Sequence, residues 1–149
     1  MLVPQTKNIY TLNDFDSLGF HDCYIHGIRW EVSTSSLILD LDYIVAWIEA
    51  DEKYKFWVAP AELRFDYASD VILSLDWTKS AMECSVQDVH RHECKATPNG
   101  NEDYRWEIEF ATPYGSIEFW STNFELKIQA EPSLLDTQRL RGAGLVKNN

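Results

Sequence analysis

Basic residues are scarce. Against 24 Asp and Glu, the 149-residue chain carries 13 Lys and Arg, a net charge of −11. Nucleic-acid binding depends on Lys and Arg neutralising phosphates, so this balance argues against it. Cysteine is sparse too. Cys23, Cys84 and Cys94 are an odd number and widely spread, whereas a disulfide scaffold shows an even, denser set. With six glycines there is no Gly-rich phosphate loop, and no GxSxG nucleophile motif occurs. No apolar run approaches the ~20 residues of a membrane span. Met1 to Lys7 show no basic segment leading into an apolar stretch, as a signal peptide would. These absences predict a cytoplasmic protein with no membrane partner and no nucleic-acid partner.

Apolar and aromatic residues are abundant. Hydrophobic residues make up 45% of the chain, with six Trp, seven Tyr and seven Phe. That is ample for one core without a disulfide, metal or cofactor, and the length is that of a single domain, 1–149. Residues 141–149 read as a flexible tail.

The apolar residues recur at every second position, the period of a half-buried strand. Leu37, Leu39, Leu41 and Tyr43 alternate with polar residues, as do Val71, Leu73, Leu75 and Trp77, and Tyr104, Trp106, Ile108 and Phe110. Three hairpins follow, over 22–48, 63–77 and 90–110. In the first, a four-residue turn at Ser33–Ser36 pairs Val32 with Leu37, Trp30 with Leu39, Ile28 with Leu41 and His26 with Tyr43. The third is closed by Pro98-Asn99-Gly100-Asn101, the strongest turn signal in the chain. Phase breaks near Asp88-Val89 and Ser121-Thr122 predict bulges or strand ends. Asn13 to Gly19 reads as one helical turn capped by Asn13, and Pro132 to Leu140 as a short helix. The expected fold is all-β with short terminal helices: an antiparallel meander of about eight strands, closed into a barrel or curved into two layers.

Two strings could carry chemistry. His90, His92 and Cys94 fall on one face of a strand, and imidazole with thiolate suits zinc. No CxxC or HExxH spacing reinforces them, and packing beneath the sheet with Cys84 and Val86 is the favoured alternative. His21, Asp22 and His26 offer an acid–base or ligand set only if the chain is irregular there. The favoured alternative gives His26 a structural bond to the Tyr43 hydroxyl. A metal-dependent enzyme, or a barrel holding a small ligand, would use one of these two sets.

A third feature is a face. Alternation sends Asp40, Asp42, Glu62, Asp66 and Asp76 outward, with Glu83, Glu107, Glu109 and Glu118, while Arg29, Arg64 and Arg105 dilute the charge. A rigid acidic sheet surface can steer a basic partner. Asp40, Asp42, Glu62, Asp66 and Asp76 are the expected partner-binding residues, with exposed aromatic side chains as anchors.

The segments Gly19-Phe20-His21-Asp22, Leu39 to Ile44, Ala59 to Phe65, Gly115 to Phe119, and Pro132 with Gln138-Arg139-Leu140 carry a resemblance. They resemble small uncharacterised bacterial β-rich proteins, relatives of which are immunity proteins of polymorphic toxin systems. The resemblance implies a cytoplasmic, non-enzymatic binding protein, and with the acidic face it points to a basic protein partner, such as a toxin that the chain neutralises. It carries over no catalytic residue.

Overall fold

The computed structural model describes residues 2–78 and 83–140. The two-residue periodicity becomes ten strands: β1 (Ile9–Thr11), β2 (Tyr24–Glu31), β3 (Ser36–Ala50), β4 (Lys53–Phe65), β5 (Ser69–Asp76), β6 (Ser85–Ala96), β7 (Glu102–Thr112), β8 (Tyr114–Ser121), β9 (Glu125–Ile128) and β10 (Ser133–Leu135). All pairings are antiparallel. The order is β1-β9-β4-β3-β2-β6-β7-β8-β5, with β10 added to β4. The sheet does not close, so the curved sheet is the form adopted, not the barrel.

Curvature brings distant strands together. Phe65 on β4 lies with its ring centroid 5.1 Å from Trp106 on β7 and 4.8 Å from Phe119 on β8. Three strands separate β4 from β7 in the pairing order, so this contact exists only because the sheet folds over itself. Leu39, Leu41, Leu63, Ile108, Ile117 and Leu126 complete the buried interior. Each such side chain contributes roughly 1.5–3 kcal/mol on burial. Phe15, from the 3-10 turn Leu12–Ser17, closes one end edge-on to Trp106 and Phe124. The Trp106 indole N–H donates to the Ser121 carbonyl, which settles the one polar atom in that aromatic cluster.

The hairpin over 90–110 forms as expected, with the Thr97 N–H donating to Asn101 O and Gly100 at φ 82°. The hairpin over 22–48 forms with its register moved by two residues: Trp30 faces Leu37 and Ile28 faces Leu39. The 3-10 turn Val32–Thr34 and a left-handed Ser35 shorten the strands and cause the move. The hairpin over 63–77 does not exist. After Phe65 the chain passes through Tyr67 (φ 54°) and Asp70 (φ 51°), and β5 pairs with β8 instead of β4. The Ser121 hydroxyl, donating to Asp66 O at 2.6 Å, ties this crossover to the end of β8.

Two further expectations are corrected. The turn near Asn13 is 3-10 and capped by Thr11. The segment 132–140 carries strand β10 and bends, not a helix. The longest hairpin, β3–β4, turns on Asp51-Glu52 at φ 50° and 65°. Both central residues are left-handed, as a tight two-residue hairpin turn requires. The expected tail 141–149 lies outside the described residues, as do residues 79–81 of the four-residue loop that the sequence places at Thr78 to Ala81 after the apolar run ending at Trp77.

Candidate functional site

A bulge decides where His26 goes. Ile25 pairs with Leu41 and Gly27 with Asp40, which leaves His26 as the extra residue. The bulge keeps Ile25 in the core and turns His26 to the opposite face, away from Tyr43. The expected bond to Tyr43 is therefore replaced: Tyr43 packs inward against Phe20, and burial pushes its phenol up to about 12. His26 lies beside Asp42, Nε2 2.8 Å from Oδ2, with the two side chains only 12% and 2% exposed. The oxygen is off the line of the ring N–H, so Nε2 has no hydrogen-bond partner among the described residues. Asp42 Oδ2 accepts from the Leu140 N–H at 2.8 Å, and Arg139 stacks on Tyr24 at 4.7 Å. The C-terminal segment thus covers this pair, beside a shallow cleft of about 160 Å³ bounded by His26, Gly27, Asp42, Pro60 and Gln129. Gly27 was the available sequence signal, because glycine inside a strand marks a bulge or a close approach.

The five acids expected to form one solvent face are not equivalent. Asp42 is buried, which corrects its expected exposure. Asp40 and Glu62 share the Arg29 guanidinium, at 3.2 and 2.8 Å. Asp66 accepts from the Ser36 hydroxyl, Arg64 Nε and Asn123 Nδ2. Burial alone would raise the Asp66 carboxyl, but these hydrogen bonds and the Arg64 charge outweigh it and hold it below the ordinary carboxylate range. Asp76 sits at the other end of the sheet and accepts from the Thr78 N–H and hydroxyl. Of the set, Asp76 alone is fully exposed without a basic neighbour among the described residues.

A different acidic face lies on the outer side of β6, β7 and β8. A register shift between Val86 and Asp88 leaves Val86 and Val89 in the core and turns Asp88, His90 and His92 outward. His90 and His92 stack at 5.6 Å. Their Nε2 atoms lie 3.0 Å from Glu109 and 2.8 Å from Glu107. Asp88 is directly opposite Glu109, and Glu107 directly opposite Glu118. Arg105 reaches Glu118 at 3.1 Å and Glu93 at 3.4 Å, and Lys95 sits 4.0 Å over the Trp120 ring. The hydrogen bond that His90 Nε2 donates to Glu109 raises His90 above its ordinary value, helped by the charges of Asp88 and Glu107.

The two strings expected to carry chemistry do not assemble as sets. A second shift, between Arg91 and Cys94, places Cys94 opposite Tyr104, on the other face from His90 and His92. Irregular backbone does bring His21 to Asp22, Nε2 to Oδ2 3.5 Å, with Asp22 at φ 65°. His21 also contacts the Gln87 carbonyl at 3.1 Å, while His26 belongs to Asp42. Among the described residues no group of three or more His, Cys, Asp and Glu is arranged to hold a metal ion. Burial pushes the Cys23 thiol up to about 12 and the Cys84 thiol to about 11, so neither supplies a thiolate at neutral pH. No helix among the described residues is long and apolar enough to cross a membrane.

The fold defines an open, antiparallel, all-β domain. No family model, curated protein or solved structure matches it.

Proposed function

We propose that this chain is a non-catalytic protein-binding domain of the immunity type, acting in the bacterial cytoplasm, whose acidic sheet face engages a basic protein such as a toxin. The observation that supports this most is the doubling of like charge on β6–β8. Asp88 opposes Glu109 and Glu107 opposes Glu118 in register, although like charges directly across a sheet destabilise it. A basic surface docked there would relieve both repulsions at once. Asp88, Glu93, Glu107, Glu109 and Glu118 outnumber Arg105 and Lys95 on this face, giving it the negative potential that steers a cationic partner. Trp120 supplies an aromatic body at its edge. Asp40, Glu62, Asp66 and Asp76 then shape the surrounding field, with Arg29 and Arg64 muting the first three.

The test starts from a partner recovered by affinity capture at about 0.05 M salt and measured by titration calorimetry. Wild-type affinity should fall as salt rises, and Glu107→Lys with Glu118→Lys should weaken binding at least about tenfold. Asp40→Lys, at the outer face of β3, should act less. Equal binding of the charge-reversed double variant, without salt dependence, would remove the acidic face from the interaction.

A further inference from the structure

Two of the chain's four histidines sit inside the acidic face. His90 and His92 are two residues apart on β6, so both turn outward, and their rings stack at 5.6 Å with 23° between planes. Both side chains are half-exposed, and each reaches a glutamate of β7: His90 to Glu109 at 3.0 Å, His92 to Glu107 at 2.8 Å. Those glutamates are the very ones held in like-charged pairs, Glu109 with Asp88 and Glu107 with Glu118. The charged groups around the stack are Asp88 and Glu93 from β6, Glu107, Glu109 and Arg105 from β7, and Glu118 from β8. The remaining histidines lie outside it: His21 at Asp22 and the Gln87 carbonyl, His26 beside Asp42.

The charge state of the two rings decides what the face offers a cation. A neutral imidazole donates one N–H to its glutamate and leaves the carboxylate charge in place. Asp88, Glu93, Glu107, Glu109 and Glu118 then outweigh Arg105 and Lys95. A protonated ring forms a charge-assisted pair with the same carboxylate and cancels one negative charge. An incoming Lys or Arg would find that carboxylate matched already and a second cation beside it. Docking and protonation relieve the same two repulsions, so each makes the other less favourable.

We infer that the His90–His92 stack makes the acidic face proton-operated: it takes a basic protein while the imidazoles are neutral and releases it as they protonate. The switch rests on the acidic face being the binding surface proposed above, and it adds the condition under which that surface binds. A cationic partner disfavours the imidazolium, so protons leave on binding. Affinity therefore falls by up to about tenfold per pH unit for each proton released. Imidazole titrates between about pH 5 and 8, whereas carboxylates alone respond only near pH 4. The Glu109 hydrogen bond, with Asp88 and Glu107, lifts His90 above its ordinary value and so toward neutrality.

The probe is a decalysine peptide, titrated calorimetrically into the full chain at a constant ionic strength of about 0.05 M. Wild-type affinity should fall at least about fivefold from about pH 8 to about pH 6. His90→Gln with His92→Gln should bind at both pH values with the affinity that wild type shows at the higher one. His21→Gln should keep the wild-type pH dependence. In the wild-type chain, saturating decalysine should move the titration midpoint of the His90 ring proton resonance, read by NMR, to lower pH. A wild-type affinity equal at both pH values overturns the inference. So does an unmoved His90 midpoint, or a pH dependence that survives in the double glutamine variant. In each of those cases, loss of binding in Glu107→Lys with Glu118→Lys still leaves the acidic face as the binding surface. Decalysine bound equally well by that charge-reversed chain removes the surface itself, and the proton switch with it.

Discussion

At the scale of single residues, Gly115 is the least replaceable. It has φ 138°, and a Cβ there would lie 1.9 Å from the Ser74 carbonyl oxygen. Contact with β5 is made against bare backbone, so no side chain can yield. Gly115→Ala should destabilise the protein by more than about 2 kcal/mol in urea denaturation. His90 offers a pH test. Its folded pKa is raised above 6.5, first by the Glu109 hydrogen bond and then by Asp88 and Glu107, and His92 stacks on it. A raised value means the pair stabilises the fold fully below about pH 6.5 and loses that contribution as pH climbs through the folded pKa. The stability gap between wild type and Glu109→Gln should therefore be larger at about pH 6 than at about pH 8. Both are read from denaturant midpoints.

At the scale of elements, the C-terminal segment behaves as a strap. β10 pairs with β4 through Leu134 opposite Trp57, and the segment ends with the Leu140 N–H on Asp42. Asp42→Ala would leave that N–H without its acceptor and the buried His26 ring without its neighbouring carboxylate. It should cost about 2–4 kcal/mol, and amide exchange over 133–140 should accelerate before that of β3. A variant that keeps 133–140 protected would show that β10 alone holds the strap. The strap also explains why the sequence pattern here points to a helix that does not form. Leu134, Leu135 and Leu140 suit a helix by spacing alone, and only the open side of β4 at Phe56 to Val58 makes an extended path better. Likewise the runs flanking 63–77 match in phase, but phase cannot report which neighbour a strand takes, and β5 takes the side of β8 that faces away from β7.

At the scale of the whole molecule, net charge sets the response to solvent. With −11 on the chain, added salt should raise the thermal midpoint of the dilute protein. The rise should be a few degrees between about 0.02 M and about 0.2 M NaCl, because screened self-repulsion outweighs the weakening of exposed ion pairs. Calorimetry at constant pH checks this, and a falling midpoint would mean the ion pairs dominate.

The amino-acid sequence by itself determined the class of fold, the strand content, the Gly100 hairpin and the acidic balance. All of these are local or compositional: alternation reflects a strand's own two faces, and charge simply adds. Tertiary structure alone decided which face each side chain took and which strands became neighbours. One extra residue at His26, at Gln87 or between Arg91 and Cys94 exchanges inside for outside. A bulge of that kind is stabilised by the partner strand's hydrogen bonds, not by the residue inserted. For that reason Asp42 lies buried under Leu140, the two histidines of β6 meet glutamates instead of a thiol, and β5 runs beside β8 instead of β4.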